Sequence, residues 1–101
     1  MLLITTGDPN GIGPEIIVKA IREISSPPIP IVIIGNKNIY KPFKLPNITT
    51  LSKQEITSNT NLKKGIYLLN IDYFPNKECS AGIFSKQCID IAKELLTYKH
   101  I

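Results

Sequence analysis

The chain has 101 residues, of which 43% are hydrophobic and 20% charged, with a net charge of +4. Those proportions suit a single globular domain with a modest core and exclude wholesale disorder. The longest basic run is Lys63-Lys64 and the other lysines are scattered. Dispersed charge of this kind marks a solvated surface, so no nucleic-acid partner is expected.

Cys79 and Cys88 have neither CxxC metal-ligand spacing nor the density of a disulfide framework, which points to free thiols in a reducing compartment. Met1-Leu2-Leu3-Ile4 lacks a basic flank and is too short for a signal peptide. No apolar run approaches the roughly 18 residues of a membrane span. The expectation is a cytoplasmic protein with no membrane partner.

Leu2–Thr6 is an apolar run that predicts a buried strand. The loop Gly7-Asp8-Pro9-Asn10-Gly11-Ile12-Gly13 follows, and Pro14 opens a helix, where its missing N–H costs nothing. Glu15 falls in the first turn, where the helix dipole favours an anion. Ile17, Ala20, Ile21 and Ile24 predict the buried stripe, and Glu15 pairs with Lys19 on another face. Ser25-Ser26-Pro27-Pro28 ends the helix.

Ile31–Ile34 is a β-branched run stopped by Gly35, a strand buried on both faces as in a parallel sheet. Residues 2–35 therefore form a βαβ unit, for which a right-handed crossover is expected. Asn36–Phe43 predicts a short helix cut off by Pro42, and Asn47–Leu51 a weaker third strand. Residues 52–65 are polar and read as a surface loop, and Ile66–Ile71 as another strand. After a turn-rich link containing Pro75 and Asn76, Ser80 is the expected N-cap of a helix to about Tyr98. Phe84, Cys88, Ile91, Leu95 and Tyr98 mark its buried face, and Lys86, Asp90, Lys93 and Thr97 its wet face. The pattern is α/β, a parallel or mixed sheet with flanking helices. Three or four strands leave an apolar edge unprotected, so the chain reads as an incomplete domain.

The informative segment is Thr6-Gly7-Asp8-Pro9-Asn10-Gly11-Ile12-Gly13-Pro14-Glu15, between a strand and a helix N-terminus. Glycines allow positive φ and close approach of a ligand to the backbone. The helix start offers unpaired N–H groups, at the strand ends where open α/β sheets bind ligands. The segment is neither GxGxxG nor a Walker loop. The same residues would also serve simply as a tight strand-to-helix turn. The candidate cofactor-binding residues are Gly7, Asp8, Gly11, Ile12 and Gly13. For Asp8 an Asx-turn is the alternative role.

Thr5-Thr6-Gly7-Asp8-Pro9-x-Gly11-Ile12-Gly13-Pro14-Glu15 resembles the N-terminal signature of the 4-hydroxythreonine-4-phosphate dehydrogenase family of vitamin B6 (pyridoxine) biosynthesis. Ile31–Gly35 occupies the place of the family's second strand, and Lys77–Ala81 resembles the Ser/Thr-Ala-Gly segment before its long helix. The Gly-Ile-Gly-Pro-Glu core is shared with isocitrate and isopropylmalate dehydrogenases, whereas Asp8-Pro9 favours the hydroxythreonine branch. The resemblance implies an incomplete part of a two-lobed fold of that superfamily, with residues 1–101 the N-terminal portion of a lobe. It also implies an NAD-dependent oxidoreductase acting on 4-phosphooxy-L-threonine, homodimeric, with a divalent metal held by three histidines.

The single histidine, His100, matches no family ligand position, so no catalytic or metal residue is assigned in this chain. Ser80 and Ser85 have no nearby base. Cys88 lies on the apolar helix face, and Cys79 has only Lys77 near it to lower its pKa. The expectation is a truncated piece of the enzyme, inactive alone. The other readings are a non-catalytic nucleotide- or phosphate-binding or interaction module, and a decayed remnant.

Overall fold

Ile31, Val32, Ile33 and Ile34 are all buried, as a strand with helices on both faces requires. In the computed structural model these residues belong to β2 (Pro30–Gly35), which pairs in parallel with β1 (Leu2–Thr5) on one side and β4 (Gly65–Asn70) on the other. β3 (Ile48–Leu51) adds beyond β4, also in parallel, giving the order β1-β2-β4-β3. The structure describes residues 1–24, 26–45, 48–58, 62–75, 78 and 80–99, the side chains of 98 and 99 excepted. Ser25, Asn47, Asn76, Lys77, Cys79, His100 and the side chain of Tyr98 lie outside the described residues.

Alternation along the strands builds two cores. Val32, Ile34 and Leu69 pack with Ile56 of α3 (Lys53–Ser58) and with Phe84, Cys88 and Leu95 of α4 (Ser80–Lys99). Ile33 and Leu68 face the other way, onto Val18 and Ile21 of α1 (Gly13–Arg22) and Tyr40 of α2 (Lys37–Tyr40). Each fully buried aliphatic or aromatic side chain contributes roughly 1.5–3 kcal/mol. Among the described residues β1 and β3 are the outer strands, each paired on one side only.

Several local expectations change. Residues 53–58, read as loop, are helical because Ser52 and Glu55 form a capping box. The Glu55 N–H donates to Ser52 Oγ, and the Ser52 N–H donates to Glu55 Oε1, both at 3.2 Å. The buried stripe of α1 is Pro14, Val18 and Ile21, with Ile17 half-buried, whereas Ala20 and Ile24 are exposed. Glu15, Lys19 and Arg22 cluster on one side of α1 and apolar residues fill a broad arc opposite, so the spacing marks the wet side but not which part of that arc meets the sheet. Ser80 is the first residue of α4 rather than its cap, and its hydroxyl donates to the Pro75 carbonyl at 3.4 Å. The wet face of α4 is as expected, but Ile83, Ile89 and Leu96 share its exposed surface. The short helix after Gly35 runs only from Lys37 to Tyr40 and tightens into a 3-10 turn at Lys41–Phe43, around Pro42.

A candidate ligand-binding crevice at the strand ends

The glycine bend leaves β1 at Thr6, which is buried although polar. Its backbone N–H and its hydroxyl both donate to the Ile34 carbonyl, at 3.1 and 2.8 Å. With that proton committed, the hydroxyl accepts from Tyr40 Oη at 2.8 Å. Burial pushes the Tyr40 phenol pKa up, which keeps it a neutral donor. β2 and α2 are thus tied to the end of β1 through one threonine.

Two glycines make room for it. A Cβ on Gly13 would lie 2.7 Å from the Thr6 carbonyl oxygen, and one on Gly35 would collide with Thr6 Oγ1. Gly13 therefore lets α1 start against the strand end. Of the three loop glycines only Gly7 has positive φ, at 75°. Gly11 has ordinary space around it, so the bend itself needs a glycine for backbone conformation at one place and for close packing at another.

Asp8 organises the bend. Its Oδ1 accepts the Asn10 N–H at 2.9 Å, an Asx-turn, and its carbonyl accepts the Gly11 N–H at 3.1 Å. Ile12 is 70% exposed and stands at the N-cap of α1 without a side-chain cap. The first-turn N–H groups are therefore not claimed by a capping side chain. Glu15, also in the first turn, pairs with Lys19 at 3.6 Å.

A crevice of about 270 Å³ opens beside the bend, lined by Pro9, Asn10, Asn36, Asn38, Tyr73 and Pro75 among others. These residues follow β1, β2 and β4, so the crevice lies outside the carboxyl ends of three parallel strands. Pro9 and Asn10 of the predicted segment line it; Gly7, Asp8, Gly11, Ile12 and Gly13 frame the bend without lining it.

Its floor is stitched across β2 and β4. Asn36 Nδ2 donates to the Ile71 carbonyl at 2.7 Å, and Asn36 Oδ1 accepts the Asn38 N–H at 2.9 Å. The Ile71 N–H donates to the Gly35 carbonyl at 2.8 Å, and the Lys37 N–H to Asn70 Oδ1 at 2.7 Å. Tyr73 packs against Phe84 with ring centroids 5.0 Å apart and planes tilted by 50°, and its buried hydroxyl has no hydrogen-bond partner among the described residues. No charged side chain lines this crevice among the described residues. The site thus combines uncharged polar groups in the crevice with the positive end of a helix dipole nearby.

Sequence reasoning placed the bend but not Asn36, Tyr40 or Tyr73. Asn36 follows a buried strand directly, as Gly7 and Asp8 follow β1, and that position is the signal that marks it. Cys88 is buried on α4, as its place on the apolar face suggested; its thiol donates weakly to the Ile34 carbonyl at 3.5 Å, and burial pushes its pKa up to about 11. Ser80 and Ser85 have no base beside them in any hydrogen bond of the described residues. Those residues include no group of three or more His, Cys, Asp or Glu that fits a metal ion. They also include no helix long and apolar enough to cross a membrane.

No protein-family model matches the chain. It is 41% identical over 71 residues to a 4-hydroxythreonine-4-phosphate dehydrogenase of Sulfurihydrogenibium sp. (strain YO3AOP1), a match covering 69% of this chain and 22% of that one. A solved Salmonella typhimurium structure carrying the same dehydrogenase assignment superposes with a TM-score of 0.72 at 30% identity. That superposition covers 96% of this chain and 34% of the other. The chain thus spans about a fifth to a third of the length of the proteins it matches, and its α/β fold with a parallel sheet corresponds to part of the Salmonella structure.

Proposed function

We propose, from the chain's resemblance in sequence and fold to the 4-hydroxythreonine-4-phosphate dehydrogenase family, that it is the N-terminal portion of a lobe of such an oxidoreductase and forms one wall of its NAD site. The observation that carries this reading is the crevice beside the glycine bend, at the ends of β1, β2 and β4. The first-turn N–H groups of Gly13 and Glu15, which no side chain caps, suit the pyrophosphate, and the uncharged crevice suits a neutral, hydrogen-bonding part of the dinucleotide. NAD, when bound, supplies the hydride acceptor. Thr6, Gly13 and Gly35 hold the bend against the sheet, Asp8 sets its turn, and Asn36 fixes the crevice floor.

The finer reading is oxidation of 4-phosphooxy-L-threonine in vitamin B6 biosynthesis, by a cytoplasmic homodimer that uses a divalent metal. The described residues do not fit the metal, so its ligands belong to parts of the enzyme other than these. On this reading the 101-residue chain alone is a binding wall without turnover.

Titration of the chain with NAD, followed by amide shifts, tests the wall. Saturable shifts confined to residues 7–15, 36–38 and 73 are expected. No perturbation there at millimolar NAD would overturn it. NAD reduction with 4-phosphooxy-L-threonine and a divalent metal tests the second part, and robust turnover by the isolated chain would overturn that. A second reading, a pairing module, is favoured by the one-sided pairing of β1 and β3. Concentration-dependent dimerisation in size-exclusion, with no response to NAD, would select it.

A further inference from the structure

A second cavity, also of about 270 Å³, lies on the α1/α2 side of the sheet. Its floor is apolar, built from Ile33, Ile48 and Leu68. Lys37, Lys41 and Lys44 line it as well, with no acidic residue among the lining. The ion pairs found among the described residues are Lys19–Glu15 and Lys53–Glu94, so none of these three lysines is neutralised by one. The bland role for such lysines is to lay their methylene stems over apolar surface. Three exposed lysines set around one concavity, none of them ion-paired among the described residues, exceed what that role requires.

The lysines stand on a braced segment. Arg22 Nη2 donates to the Phe43 carbonyl at 2.6 Å, the Tyr40 hydroxyl is tied to Thr6, and the Lys37 N–H is held by Asn70. Lys44 adopts φ 49° and ψ 50°, a left-handed conformation that costs a non-glycine residue about 1 kcal/mol or more. Glycine or asparagine would adopt it more easily, yet a lysine occupies it.

We propose that this cavity is a binding site for a small amphipathic anion, its apolar body on Ile33, Ile48 and Leu68 and its carboxylate or phosphate head among Lys37, Lys41 and Lys44. The site is separate from the glycine bend, and the proposal stands whether or not the chain binds NAD.

The test titrates the 101-residue chain with hexyl phosphate, hexanol and inorganic phosphate, followed by amide shifts. Hexyl phosphate gives saturable shifts at residues 33, 37–44, 48 and 68, at least about tenfold tighter than hexanol or inorganic phosphate. The exposed double variant Lys41→Ala/Lys44→Ala weakens hexyl phosphate about tenfold, and Lys86→Ala/Lys93→Ala on the far helix leaves it unchanged. Equal binding of hexanol, equal binding of inorganic phosphate, an unaffected double variant, or no shifts at millimolar hexyl phosphate would each overturn the proposal.

Discussion

Replacing Gly35 by alanine should destabilise the protein through one neighbour, Thr6. The added Cβ would overlap Thr6 Oγ1 and sit 3.2 Å from Tyr40 Cε2. Overpacking of a rigid core position costs about 1–3 kcal/mol, against which Gly→Ala in a strand recovers roughly 0.5–1 kcal/mol of chain entropy. The net expectation is a loss of about 1–2 kcal/mol. Thr6→Ala alone breaks two hydrogen bonds and leaves the buried Tyr40 hydroxyl unpaired, a loss of about 1–3 kcal/mol. In the double variant the overlap is gone, so Gly35→Ala adds little to Thr6→Ala. The interaction term should then be about 1 kcal/mol or more. Urea unfolding of the four proteins measures it, and thermal melts should follow at about 4–8 °C per kcal/mol. Strictly additive losses would refute the assignment of Gly35's role to Thr6.

Tyr73→Phe removes a buried hydroxyl that has no partner among the described residues, so it should be neutral or raise stability by about 1 kcal/mol; a clear loss would show that the hydroxyl is bonded in solution. Gly7→Ala meets no neighbouring atom, so its cost is the positive φ alone, about 1–2 kcal/mol. Gly13→Ala meets the Thr6 carbonyl instead, and should shift the Thr6 and Pro14 backbone resonances where Gly7→Ala leaves Pro14 in place. Cys88 is fully buried with its pKa raised from 9.0 to about 11. The unfolded thiol ionises first, so stability is complete below pH 9 and falls between pH 9 and 11, by on the order of 2–3 kcal/mol. Urea unfolding of Cys88→Ala should show a shallower decline over that window than the parent.

The elements visible in the sequence are those where burial dictates composition. Ile31–Ile34 could only be an interior strand, and Phe84, Cys88 and Leu95 repeat at helical spacing because one side of α4 meets the sheet. α3 was hidden because a six-residue helix with one buried residue, Ile56, has no stripe to display; its Ser52–Glu55 box was the sign available. For the site, the bend is contiguous and so is readable. The crevice draws Asn10, Asn36 and Tyr73 from three separate strand exits, and only the order β1-β2-β4 brings them together. No local pattern encodes that adjacency.

The bonds from Asn36 to Ile71 and from Lys37 to Asn70 extend the pairing of β2 and β4 past the point where both strands end. The two exits are therefore welded into a single plate. On the proposed reading, a dinucleotide binding there would meet a floor already ordered, with the glycine bend beside it. Slow amide exchange should consequently run on through Ile71 and Lys37, and fade only at the bend.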